Sequence, residues 1–291
     1  MSLGRRQRTR DAQARTHAER LASRDGYFAP ESVIRRVANT PVTPFLGGGT
    51  AVLLQVAHPL VAAGVAEHSD FHRDLWRRLG RTLRALYMIA FGTKAEAERA
   101  GEAVRVVHGY VHGVLGSQLG CFPPGTAYSA EDPELQLWVH ATLVAASLSA
   151  YQRFERRLSA AEQESYYRDM AVVAQLFGTP AEVIPPTLAA FNEYFDARLD
   201  DGSIAITPVA REIGAVILDA PLPAPLSFFG PAHRLATAAL LPPRLRREYG
   251  LSWSRRQAAL LPLAGPAVRC STWPIMLAAK HLRPSLVAAL A

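Results

Sequence analysis

The apolar residues of this chain recur at spacings that predict helices from end to end. From Ala51 to Ala66 the run is nearly continuous, broken at Gln55, His58 and Pro59. Leu75, Leu79, Leu83 and Leu86 follow at steps of three and four, which lays one stripe along a helix that Ser69 and Asp70 are placed to cap. Thr93 opens a longer helix with Ala97, Ala100, Val104, Val107, Val111 and Val114 in register, predicted to end near Gly116 and the loop Gly120–Gly125. Asp132-Pro133 starts another, from Glu134 to about Leu158, and Ser159 or Thr179-Pro180 restarts the chain afterwards. No segment alternates with period two for long enough to predict a strand. In the C-terminal third, prolines from Pro221 to Pro274 cut the pattern into short helices, and no polar linker marks off a second lobe. The reading is all-α: one multi-helix domain over residues 27–291, preceded by a basic extension over 1–26.

With 291 residues, 49% of them hydrophobic, the chain can bury a large core. Its formal charge of +7 raises the question of nucleic acid. Arg5, Arg6, Arg8, Arg10, Arg15, Arg20 and Arg24 against Asp11 and Glu19 leave 7 − 2 = +5 of that excess before residue 25. The remainder is nearly balanced, and a DNA-associated role rests on the extension alone, so no nucleic-acid partner is expected. Only Lys94 and Lys280 are lysines. Cys121 and Cys270 form no C-x-x-C or C-x-x-C-H pattern, which argues against a zinc knuckle and against covalent haem attachment, and fits a reducing compartment. The N-terminal arginines lead into polar residues where a signal peptide has its apolar stretch, so a cytoplasmic location is expected. Ala51–Ala66 falls short of the roughly 20 residues of a membrane span, which predicts core burial or contact with a membrane surface.

Six of the nine histidines, His58, His68, His72, His108, His112 and His140, lie between residues 51 and 145. A lone histidine on an apolar helix is more often a hydrogen-bonded core residue than a ligand. His108 with His112, and His68 with His72, stand four apart, the spacing that turns two imidazoles of one helix toward one metal. No Glu-x-x-His motif accompanies them, as a helical di-metal site would require. Arg78, Arg81 and Thr82 share one side of their helix, a set suited to carboxylates and equally readable as a solvated face.

The segments GGGTAVLLQVAHPLVAAGVAEHSDF from Gly47, R-x-x-R-T at 78–82, FG at 91–92, VHGYVHG from Val107 and YSAEDPELQLWVHATL from Tyr128 resemble the family of oxygenases that includes MpaB and the latex-clearing proteins. The likeness is strongest over residues 45–160. It implies a globin-like helical domain holding a noncovalent haem b through a proximal histidine, with dioxygen as co-substrate for cleaving carbon–carbon double bonds of a hydrophobic, isoprenoid or lipid-like molecule. By the same resemblance His108 matches the iron ligand, and Arg78 and Thr82 match residues beside the haem. His112 stands where the family usually has arginine, and Arg81 where latex-clearing proteins have a lysine. Arginine stays protonated and is a poor iron ligand.

The residues themselves agree with this reading. A neutral imidazole is a standard axial ligand, Val104, Val107 and Val111 offer an apolar wall, and Arg78 suits a propionate. His140 is expected to support the cofactor or the core, with axial ligation as the lesser alternative. Glu67 is the candidate base, or else a helix-terminal acid paired with Arg73 or Arg78. His58 is expected to tether backbone freed by Pro59, and His68 to line the pocket. An electron donor is implied for the iron. A haem sensor or carrier without turnover, and a nonhaem di-metal oxidoreductase, are the competing expectations.

Overall fold

The break at Gln55–Pro59 shapes the centre of the molecule. In a computed structural model, which describes residues 25–69, 75–219 and 230–280, the apolar run is two helices, α2 (Gly48–Val56) and α3 (Pro59–His68). A π-helical turn (Thr43–Gly47) leads into α2, and the axis bends by 103° where α3 begins. Pro59 cannot donate an N–H and sits at the first position of α3, where none is needed. His58 caps that helix, its Nδ1 accepting from the Leu60 N–H at 3.3 Å, so the expected tether is present. Among the described residues no single helix is long and apolar enough to cross a membrane.

Before them lies α1 (Val33–Ala38), and after them α4 (Leu75–Phe91) and α5 (Lys94–Gly109) pack as neighbours. Thr93 and Glu96 close a reciprocal capping box on α5. A short antiparallel hairpin, β1 (His112–Val114) with β2 (Ala127–Ser129), then precedes α6 (Pro133–Phe154), which Asp132 caps through the N–H groups of Glu134 and Leu135. Helix α7 (Ala160–Leu176) starts on a second capping box, Ser159 with Glu162. The rest is α8 (Leu188–Asp200), α9 (Pro208–Asp219), α10 (Gly230–Leu240), α11 (Pro243–Glu248) and α12 (Arg255–Lys280).

Helix α6 is the spine. Trp138, fully buried, stacks on Phe195 and belongs to a core built from α2, α3, α9 and α11. Ala141, Val144 and Leu148 join Ile89, Ala97, Tyr166 and Tyr167 in a second core with α1, α4, α5 and α7. Gly101 brings α5 against α7, since a β-carbon there would lie 2.4 Å from the Leu176 carbonyl oxygen. The domain is all-α apart from the hairpin and one isolated bridge, as the periodicity predicts.

Several local expectations are corrected. Helix α5 stops at Gly109, not near Gly116, because Val114 belongs to β1 and Val111 leads into it, its carbonyl accepting from the Ala130 N–H. His108 and His112 therefore share no helical face, and the spacing argument for a di-metal pair fails there. His72 lies outside the described residues, and among the described residues no three metal-ligating side chains converge. Leu83 is exposed, not part of a buried stripe, and α6 ends at Phe154, not Leu158. The extension 1–24 and Asp70 lie outside the described residues.

Candidate functional site

His108 sits at the C-terminal end of α5, where the Tyr110 N–H closes the helix on the Val107 carbonyl at 3.1 Å and the Val111 N–H reaches the His108 carbonyl at 2.9 Å. Its Nδ1 is buried with no hydrogen-bond partner. Burial pushes the imidazole pKa below its ordinary value; nearby Glu131 opposes that shift and the charge of Arg78 adds to it. The result is a neutral ring with a lone pair to offer.

Arg78 comes from the facing helix. It is part-buried, and its Nη1 donates to the Ser69 hydroxyl at 2.7 Å, which in turn donates to the Val65 carbonyl at 2.6 Å. Ser69 thus links the end of α3 to Arg78, while the segment between it and the helix it was expected to cap lies outside the described residues. Desolvation, with Arg81 as the lesser cause, holds the guanidinium pKa below the ordinary arginine value. No carboxylate pairs with Arg78 among the described residues. A guanidinium has five donors, and burying them beside one hydroxyl is costly unless an anion completes the site.

Arg81 and Thr82 are exposed, the Thr82 hydroxyl bonding back to the Arg78 carbonyl at 3.2 Å. His112 is exposed on β1. Around these residues the surface is apolar: Leu83, Val107 (58% exposed), Tyr110 (74%) and Val114 stand open on α4, α5 and β1. Val107 is therefore a rim residue, whereas Val104 and Val111 are half-buried.

The hairpin is pinned to the end of α3 by Tyr128, which sequence reasoning did not single out. Register places Tyr128 opposite Gly113, where a β-carbon would lie 2.5 Å from the phenol oxygen. Its hydroxyl donates to Glu67 Oε2 at 2.5 Å and lies 3.4 Å from His68 Nε2, which is 3.0 Å from the His112 carbonyl oxygen. Glu67 is thus the partner of a tyrosine, not of Arg78, and Arg73 lies outside the described residues. Desolvation and this hydrogen bond raise the phenol pKa, so Tyr128 keeps its proton.

His140 lies deep in α6 at 4% exposure, with neither ring nitrogen hydrogen-bonded, and desolvation lowers its pKa to about 4. One turn earlier Gln136 donates to the Ala130 carbonyl at 3.1 Å and leaves its buried Oε1 unpartnered. Unpaired buried polar atoms are rare in folded proteins and call for a partner or a reason.

Over residues 35–270 the chain matches the catalytic domain described as ER-bound oxygenase mpaB/B'/rubber oxygenase. The chain belongs to this family. The mpaB/rubber-oxygenase match extends well beyond the segments that first resembled it and includes Glu67, Arg78, His108 and His140. Two relatives, the uncharacterized proteins Mb2261 of Mycobacterium bovis and Rv2237 of Mycobacterium tuberculosis, are each 30% identical over 211 residues, which is 71% of this chain and 80% of theirs. No solved structure matches at a significant level. Family membership makes this an oxygenase-type domain, and the helical fold brings His108 within reach of the charges of Arg78 and Glu131.

Tyr128 was missed, and Ser69 was read only as a cap and not as the partner of Arg78, because the partners that give them roles are distant in sequence or on another helix. The one available signal was Tyr128 heading a segment that carried the family likeness.

Proposed function

We propose that the protein is a haem b-dependent oxygenase that acts with dioxygen on a carbon–carbon double bond of a hydrophobic, isoprenoid or lipid-like molecule. The observation that supports it best is the pairing of a neutral, half-buried His108 with the adjacent Arg78, a cation without a carboxylate partner among the described residues. These residues fit haem. His108 would hold the iron and Arg78 a propionate, and the exposed apolar rim of Leu83, Val107 and Tyr110 would be covered by the macrocycle or its substrate. When bound, haem supplies the redox-active iron at which dioxygen becomes reactive.

The chain's own residues do the rest. Arg78 orients an anionic group through a desolvated guanidinium. Tyr128 keeps the carboxylate of Glu67 fixed and holds its own proton at the phenol oxygen. Arg81, Thr82 and His112 edge the opening, and His140 with Gln136 backs the site with polar atoms in an apolar wall. An electron donor belongs to this reading, as does an intracellular lipid or terpenoid substrate.

Capture of Glu67 by Tyr128 favours one second reading, a haem carrier or sensor without turnover, since the candidate base is already engaged. Dioxygen uptake separates the two. Haem-loaded protein with a reductant and an isoprenoid alkene should consume dioxygen in proportion to alkene and yield carbonyl products. Uptake that ignores the alkene contradicts the oxygenase reading and leaves the carrier.

A further inference from the structure

From Tyr249 to Ala291 the chain contains Arg255, Arg256, Arg269, Lys280 and Arg283 and no Asp or Glu. Much of this stretch is α12, which packs inward through Leu261, Ala264 and Gly265, the last so close that a β-carbon would meet the Phe154 carbonyl oxygen at 2.5 Å. Over residues 255–267 its outer face is largely exposed. Arg256, Leu260, Leu263 and Ala267 follow one another at i, i+4, i+7 and i+11 and so form one stripe. Leu260 is 54% and Leu263 61% exposed.

Beside the stripe a groove of about 510 Å³ opens between α10 and α12, lined by Leu235, Ala238, Leu251, Leu260, Leu263 and Ala267. Its polar lining is Arg234, ion-paired with Asp219, with Ser252 and Gln257, and further arginines lie close by in sequence. Arg247, Arg255 and Arg256 are exposed, with no ion-pair partner among the described residues, and the Arg246 guanidinium lies 4.8 Å above the Trp253 ring. Pro262 and Pro266 lack N–H groups, so the carbonyls of Ala258 and Pro262 lose their helical partners. Those carbonyls need water, which a bilayer interface supplies and its interior does not.

We propose that the outer face of α12 docks on the surface of an anionic lipid bilayer. Leu260 and Leu263 enter the boundary between headgroups and acyl chains, while Arg247, Arg255 and Arg256 meet lipid phosphates. Charge decides between this occupant and a second copy of the chain. A two-fold contact through the same stripe would set unpaired arginines of one copy near those of the other, whereas an anionic surface complements them. The proposal does not depend on haem.

The test is co-sedimentation of the full chain with phosphatidylcholine vesicles, with and without about 30% phosphatidylglycerol. Wild-type protein should pellet with the anionic vesicles and stay largely in solution with the neutral ones. The double variant Leu260→Ala/Leu263→Ala, which keeps all charges, should bind roughly tenfold more weakly, given the apolar area it removes. Arg255→Gln/Arg256→Gln should bind roughly twentyfold more weakly, and the wild type should weaken with added salt. All four side chains are exposed, so thermal unfolding of both variants should match the wild type. Equal binding to both vesicle types overturns the proposal, as does binding that neither double variant changes. Loss of a dimer in the leucine variant with vesicle binding intact would make the face a self-interface instead.

Discussion

His140 is almost wholly buried with two unpartnered ring nitrogens, and such an imidazole resists protonation until the fold gives way. Burial takes both His140 and His58 from the ordinary 6.5 to about 4. Between those values the unfolded chain binds a proton on each that the folded chain does not, so stability falls as pH falls. Asp169 works the other way, because burial raises its carboxyl to about 6 and the folded state holds that proton. Burial lowers His108 and His233 as well, so the imidazoles together outweigh Asp169, and net stability falls as pH drops below about 6.5. His140→Leu should reduce this slope by about 1.4 kcal/mol per pH unit in urea denaturation at pH 7, 6 and 5. At the other end of the site, Tyr128→Phe keeps the ring and removes the donor to Glu67. It should cost about 1–2 kcal/mol in the same assay, and an unchanged midpoint would show that the phenol does not hold the hairpin to α3.

Helix α5 shows what elements owe to their neighbours. Its start was legible, since Thr93 and Glu96 form the expected cap, and so were the starts of α6 at Asp132-Pro133 and α7 at Ser159. Its end was not. Val111 and Val114 continue the helical spacing by coincidence, and strands of three residues are too short for alternation to reveal them. The hairpin exists because β1 finds β2 and Tyr128 finds Glu67, sixty-one residues away, and local pattern carries no such information. The same limit explains why likeness to a family singled out Arg78 and His108 while the bond of Ser69 to Arg78 and the nearness of Glu131 to His108 emerged only from contacts. Close packing of α5 on α7 gives a test at this scale. Gly101→Ala drives a methyl into the Leu176 carbonyl and should destabilise the fold by about 1–3 kcal/mol. Wild-type stability in that variant would show that the crossing is looser than described.

Across the whole molecule, two cores flank α6 and leave one end of α4, α5 and the hairpin apolar, open and cationic. On the proposed haem reading, Arg78, desolvated beside a neutral histidine, would pair with a propionate of the cofactor. Arg78→Ala should weaken haem binding roughly ten- to hundredfold, the range for losing one charge-assisted pair, as measured by haem titration.

The most direct measurement is the visible absorption spectrum of protein expressed with a supply of haem, oxidised and dithionite-reduced, beside that of His108→Ala. Haem held by His108 should give a Soret band in the wild type that is lost in the variant while its helical circular dichroism is retained. A wild type that stays colourless after haem reconstitution, or a variant that keeps the band, would contradict it.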